Sequence, residues 1–238
     1  MKIYSPLFLL GALGALSAAG TAAAQVVDTS AWKCSACPYP KGSSGTVEAG
    51  LGVVSDDSAK FGDYTGLDRE GAHLVLGGTL RYRGDGGYFA DLAASDLGLD
   101  SRRLAARTGR EGLYTLHLGY SEIPRHLSDS ASTPFLGNGG GVLTLPAGFP
   151  AANTAAMPLA STLQPVELGY KRSRLDIGAA WIAGANWTYR INLRHDVRDG
   201  TQRTAESFFD TAAQLAAPLD HVTDQFEVFE VLEVARTL

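Results

Sequence analysis

The chain has 238 residues, 45% of them hydrophobic and 19% charged, with 28 glycines. This is the composition of an ordered protein of one or two domains. Its 20 Lys+Arg against 25 Asp+Glu give a net charge of -5, which leaves no basic field to hold a nucleic-acid backbone, so nucleic acid is not an expected partner. After residue 24 no apolar run reaches the roughly 18 residues that a membrane-crossing helix needs. A membrane β-barrel is not excluded, because its strands hide their apolar face in alternation.

Met1 to Gln25 carries one charge, Lys2, then apolar Leu7, Phe8, Leu9, Leu10, Leu13 and Leu16, and closes on Ala22-Ala23-Ala24. This reads as a secretory signal over 1–24, cleaved before Gln25, and it predicts export into a compartment that permits disulfides. A polar stretch rich in Gly, Ser and Pro follows and is expected to form an arm outside the main fold over 25–45. The arm contains Cys34-x-x-Cys37. From Thr46 to the last residue the pattern is one of strands and turns.

Leu74, Leu76, Gly78, Leu80 and Tyr82 alternate with His73, Gly77, Thr79, Arg81 and Arg83, and Gly84-Asp85-Gly86-Gly87 turns the chain into Tyr88, Ala90, Leu92 and Ala94. Tyr114, Leu116, Leu118 and Tyr120 repeat the pattern. Trp187, Tyr189, Ile191 and Leu193 show it most clearly, opposite Thr188, Arg190, Asn192, Arg194 and Asp196. The partner of that strand is expected over Leu175 to Ile182, across the turn Gly184-Ala185-Asn186. The strands are about ten residues long with aromatics near their ends, which fits a lipid-facing surface with aromatic girdles. A one-faced soluble sheet also alternates. Ser121 to Gln164 reads as one long loop, a feature of outer-membrane barrels more than of compact soluble domains. Arg198 to His221 reads as a second connection, with a helical turn near Ala212 to Ala217.

Cys34 and Cys37 are the only close pair of reactive residues. Covalent haem attachment needs His after the second cysteine, where Pro38 stands, and zinc lacks a second ligand pair. No α/β pattern supplies a thioredoxin-type site. A structural disulfide or a redox-responsive thiol pair remains. The histidines His73, His117, His126, His195 and His221 are scattered, with His195 on an apolar face, and are read as ordinary strand residues rather than ligands. Asp56, Asp57, Asp63 and Asp68 lack the closing Glu of a calcium loop and read as a solvated turn. No catalytic or nucleotide motif stands out, and no metal site or enzymatic activity is expected.

Several stretches, taken in order, resemble one family. Cys34-x-x-Cys37 is followed by Asp57-Ser-Ala-Lys-Phe-Gly-Asp-Tyr-Thr-Gly-Leu67 and Glu70-Gly71, then Ile123-Pro124, Thr133-Pro-Phe135 and Leu143-Thr-Leu-Pro146. Arg198-Asp-Gly-Thr201, Pro218-Leu-Asp220 and Thr223 complete the set. The order is similar to the start of the decahaem-associated outer-membrane proteins, the MtrB/PioB family. The resemblance implies a porin-like barrel in the cell outer membrane that sheathes a periplasmic multihaem c-type cytochrome, with an extracellular multihaem cytochrome as a further partner. Electrons would then cross the membrane on the partner's haem, and the barrel itself would bind no cofactor. Cys34 and Cys37 match the family's N-terminal cysteine motif. Alternation makes Arg81, Arg83, Arg190 and Arg194 candidate lumen or cytochrome contacts.

The fold class expected is therefore all-β, an antiparallel transmembrane outer-membrane β-barrel. The length supplies only about eight to ten strands, whereas a lumen holding a cytochrome calls for more than about twenty. The stretch from Phe226 places Glu227, Glu230 and Glu233 three apart and ends on Leu238, and it is expected to depart from the family, as in a truncated or frame-shifted product. Two other readings are a small self-contained outer-membrane pore or adhesin barrel, and a soluble secreted β-domain.

Overall fold

A computed structural model describes residues 40–150, 155–184, 186–208 and 211–232. Eight strands form one antiparallel sheet in which each pairs with the next. They are β1 (Gly42–Val54), β2 (Gly71–Arg83), β3 (Tyr88–Ser95), β4 (Arg103–Arg110), β5 (Tyr114–Thr133), β6 (Gln164–Ala183), β7 (Trp187–Phe208) and β8 (Thr211–Leu232). Two single α-helical turns, α1 (Ala59–Gly62) and α2 (Leu159–Thr162), and one 3-10 turn over Asp85–Gly87 lie in the connections. The expected all-β class holds, and the described sheet is open, with β1 and β8 as its edges. β1 starts at Gly42, slightly ahead of Thr46.

Turns at one end of the sheet are short, over 84–87, 111–113 and 184–186, and the connections at the other end are longer, over 55–70, 96–102 and 134–163, apart from the close step from Phe208 to Thr211 between β7 and β8. Two expected connections are strand instead. The loop expected from Ser121 begins only after Thr133, because β5 continues to that residue in register with β6. Register shifts between His126 and Ser128 and between Ser128 and Ala131 break the alternation there. Pro124 is tolerated because β4 has already ended, so its missing N–H faces a side with no partner strand. The expected helical turn near Ala212 to Ala217 is extended too: β7 and β8 pair without interruption from Trp187↔Leu232 to Phe208↔Thr211.

β5 outruns β4 beyond Ser121, and the 55–70 connection fills the exposed side. Ser58 caps α1 through its side chain on the Phe61 N–H. The Tyr64 N–H donates to the Pro124 carbonyl at 3.0 Å, Arg125 Nε to Asp63 Oδ1 at 2.9 Å, and Ser101 Oγ to the Thr65 carbonyl at 2.8 Å. The Ala59 N–H donates to Asp129 Oδ2 at 3.0 Å, which holds the Asp129 carboxyl below the ordinary carboxylate range. Asp57 accepts from the Glu70 N–H at 2.6 Å. These acidic residues stitch the loop together.

The sheet is a single layer without a conventional core. No large side chain is fully buried among the described residues, while Val47, Leu80, Leu92, Leu118, Ile177, Leu193 and Phe226 stand exposed. Directly opposed residues share a face, so the register carries Leu80, Leu92, Ala106, Leu118, Ile177, Leu193 and Phe226 across seven strands in one apolar row. Tyr82, Tyr88, Tyr114, Trp181 and Tyr189 border it at the short-turn end, with Trp181 stacked on Tyr189 at 5.3 Å. At the long-loop end Tyr120 donates to Glu122, beside Arg102 and Lys171.

The apolar band does not run parallel to these rows. On β1 it covers Val47 to Val53, toward the long-loop end, whereas on β7 it covers Trp187 to Leu193, toward the short turns. Counted through the register, the band slips by about one residue per strand. With strands about 4.8 Å apart and a rise of about 3.3 Å per residue, that slip keeps the band level if the strands tilt by about 35°. This is the tilt of membrane barrels.

An arginine in the middle of this band has no route to water. Leu118→Arg or Ile177→Arg should cost about 2–4 kcal/mol in equilibrium unfolding from phospholipid vesicles. Thr115→Arg, on the opposite face, should cost less than about 1 kcal/mol.

Candidate functional site

The second face of the same strands is polar. Its arginines, Arg81, Arg83, Arg103, Arg107, Arg172, Arg174, Arg190, Arg194 and Arg198, outnumber its carboxylates, Glu48, Asp91, Asp176, Asp196, Glu206 and Glu227. A chain of net charge -5 thus presents a cationic surface on one side of one sheet.

The four arginines expected at lumen positions all lie on this face, in different settings. Arg83 donates through both terminal nitrogens to Asp91, at 2.8 and 3.2 Å. It also stands 5.7 Å from the Phe89 ring, which Arg107 approaches at 5.2 Å from a neighbouring strand. Arg81 is opposite Ser44 and Asp91. Arg194 donates to Asp176 at 2.6 Å and to Gln225 at 3.3 Å. Arg190 lies opposite Ala180 and Phe229. The register therefore spreads the four along the wall rather than gathering them. Cys34 and Cys37 lie outside the described residues.

Sequence reasoning missed the densest cluster. Arg172 donates to both oxygens of Asp196, at 2.9 Å and 2.8 Å from Nε and 2.5 Å from Nη2. Arg174 Nε donates to the same carboxylate at 3.1 Å, and Arg198 Nε stands 3.9 Å away. Three guanidiniums share one anion. The Asp196 side chain is 8% exposed, against 30%, 32% and 46% for the three arginines. The signal was present in the numbering: Trp181 and Tyr189 pair across a short turn, and the same register puts Arg174 opposite Asp196 and Arg172 opposite Arg198.

The histidines do not converge. His73 bonds the Arg69 carbonyl at 2.9 Å, and His195, on the apolar face as expected, sits 2.6 Å from Asp224. His117 lies over Gly178, where an added Cβ would come within 2.1 Å of its ring and 2.6 Å of the Asn192 side chain. Glycine keeps this stretch of wall thin enough for the imidazole to lie flat.

A one-layer antiparallel meander with long tilted strands, an apolar band edged by aromatics and a polar reverse face is the wall of a transmembrane β-barrel. The family model described as "Putative outer membrane beta-barrel porin, MtrB/PioB" matches residues 53–233, and the chain belongs to that family. It is 33% identical over 203 residues to "Outer membrane protein MtrB" of Shewanella baltica (strain OS185), a similarity that covers 84% of this chain and 29% of that protein. The chain thus spans less than a third of the length of this relative. The match reaches residue 233 and β8 runs to Leu232, so most of the stretch from Phe226 that was expected to depart from the family lies within it.

Three substitutions test this face. Asp196→Asn leaves three guanidiniums without their shared anion and should lower stability by about 1–2 kcal/mol in urea titration, a loss limited by the exposure of the arginines. Gly178→Ala should cost about 1–3 kcal/mol through overpacking, and His117→Ala in the same chain should recover most of it, as a double-mutant cycle would read.

Proposed function

We propose that this chain supplies wall segments of an outer-membrane barrel whose arginine-rich inner side holds a periplasmic multihaem c-type cytochrome, so that electrons cross the membrane along the partner's haem. The observation that carries this reading is the opposite character of the two faces of one sheet, apolar toward lipid and cationic toward the interior, in a member of this family. A purely aqueous pore needs a polar lumen but no excess of one charge; a wall that seats a protein gains from a one-signed surface, which guides and orients the docking partner. The chain performs no chemistry of its own. It insulates, positions and binds, and its partners are the cytochrome, an extracellular multihaem cytochrome and outer-membrane lipid.

Short turns on the periplasmic side and long loops outside are the rule for bacterial barrels. Under that rule the 134–163 loop is extracellular and the start of β1 is periplasmic. The arm with Cys34 and Cys37, released by cleavage after residue 24, is then periplasmic, its cysteines a disulfide or a redox-responsive pair.

Two experiments test this. Cysteines placed at Asn138 and at Gly86 should differ in intact cells: a membrane-impermeant maleimide should label the first and spare the second until the outer membrane is opened. Affinity purification of the tagged full chain from a strain that expresses the multihaem cytochrome should bring down haem-staining protein at low salt and progressively less as salt rises. Equal recovery from an untagged control would overturn the sheath reading.

A further inference from the structure

We infer that Arg172, Arg174 and Arg198, gathered on Asp196, form a docking site for acidic side chains on the surface of the protein held in the lumen. This rests on the sheath reading above and names the part of the wall that seats the occupant. Arg172 alone engages both oxygens of Asp196, and a bidentate guanidinium is a complete partner for a carboxylate. Arg174 and Arg198 therefore add two positive charges that the pair does not neutralise. The positions directly opposite offer no further acid: Ser121 and Thr223 lie opposite the Arg174–Asp196 pair, Ile123 and His221 opposite the Arg172–Arg198 pair, and Asp176, two residues along β6 from Arg174, is engaged by Arg194.

The burial order points the excess charge outward. Asp196 lies beneath, at 8% exposure, and the guanidiniums above it keep a third to nearly half of their surface open. Like charges held this close repel one another, and a second carboxylate relieves that repulsion while accepting the unused N–H donors. Arg83 with Asp91 and Arg194 with Asp176 each have an adjacent carboxylate. On β6 and β7 the cluster sits just beyond the apolar stretch that ends at Leu175 and Leu193, toward the long-loop end. It therefore sits at the edge of the lipid-facing band, near the mid-length of β6 and β7.

The test uses the full chain with Arg174→Gln and Arg198→Gln together, which keeps the Arg172–Asp196 pair. The single Arg198→Gln serves if the double variant fails to fold. Arg69→Gln, on the 55–70 connection and outside this face, is the control. The first readout is binding of a poly-glutamate peptide to the detergent-solubilised barrel at low salt, where the double variant should bind about fivefold to tenfold more weakly and the control within about twofold of the parent. Unchanged binding in the double variant, or an equal loss in the control, overturns the inference. The second readout is retention of the multihaem cytochrome on the tagged chain across a salt series, which the variant should release at lower salt. If parent and variant retain it equally at every salt, docking at this cluster is overturned and the sheath reading stands. If the parent itself never retains the cytochrome, the sheath reading falls, and the peptide readout still decides whether the cluster binds carboxylates.

Discussion

Inside a lipid bilayer a backbone N–H or C=O has no water to turn to, so each must find its partner in the next strand. Everything else in this chain follows from that requirement. Strands pair only with their sequence neighbours, tight turns keep the pairing continuous, and the side chains divide cleanly between two faces because the pleat leaves no third direction. A soluble sheet of this size would bury one face against a second layer. Here the apolar face stays bare, and the described structure has no interior to speak of. Burial in the ordinary sense is confined to a few positions, such as Phe89 between two arginines and Leu99 in the 96–102 connection.

The same constraint explains which parts of the fold could be read from the amino-acid order. Where a strand crosses lipid, one face must be apolar and the period of two is plain, as in Tyr114 to Tyr120 and Trp187 to Leu193. Beyond the lipid neither face has to be apolar, and the period fades although the strand continues. The upper parts of β5, β7 and β8 are of this kind, with bulges near Ser128 and an alanine-rich start to β8. β4 was also hard to see, because its outward residues Leu104, Ala106 and Thr108 give weak contrast. The family resemblance was legible in short motifs, several of which lie in these regions: Ile123-Pro124 on the upper part of β5, Pro218-Leu-Asp220 on β8, and others in the long loops.

The polar face shows how far pattern reasoning reaches into a site. Alternation alone put Arg81, Arg83, Arg190 and Arg194 on one shared face, since orientation needs only parity. Which of them cooperate depends on register between strands, and register depends on turn length. Once a three-residue turn fixes Ala183 opposite Trp187, every later pair on that hairpin is determined, including the meeting of Arg174 with Asp196. The charge balance of the whole chain concealed this, because its acids lie largely in loops and on the other face while arginines collect on this one.

The slanted apolar band has a geometric corollary for how such a wall closes. Tilt is fixed by the slip per strand, a local property that each hairpin carries for itself, and at a given tilt the circumference grows with the number of strands added. A wall built this way can widen by whole hairpins without any existing strand changing its angle to the membrane. Bore size can then change at constant slope, and a barrel broad enough to admit a folded protein uses the same hairpin geometry as one that passes only water.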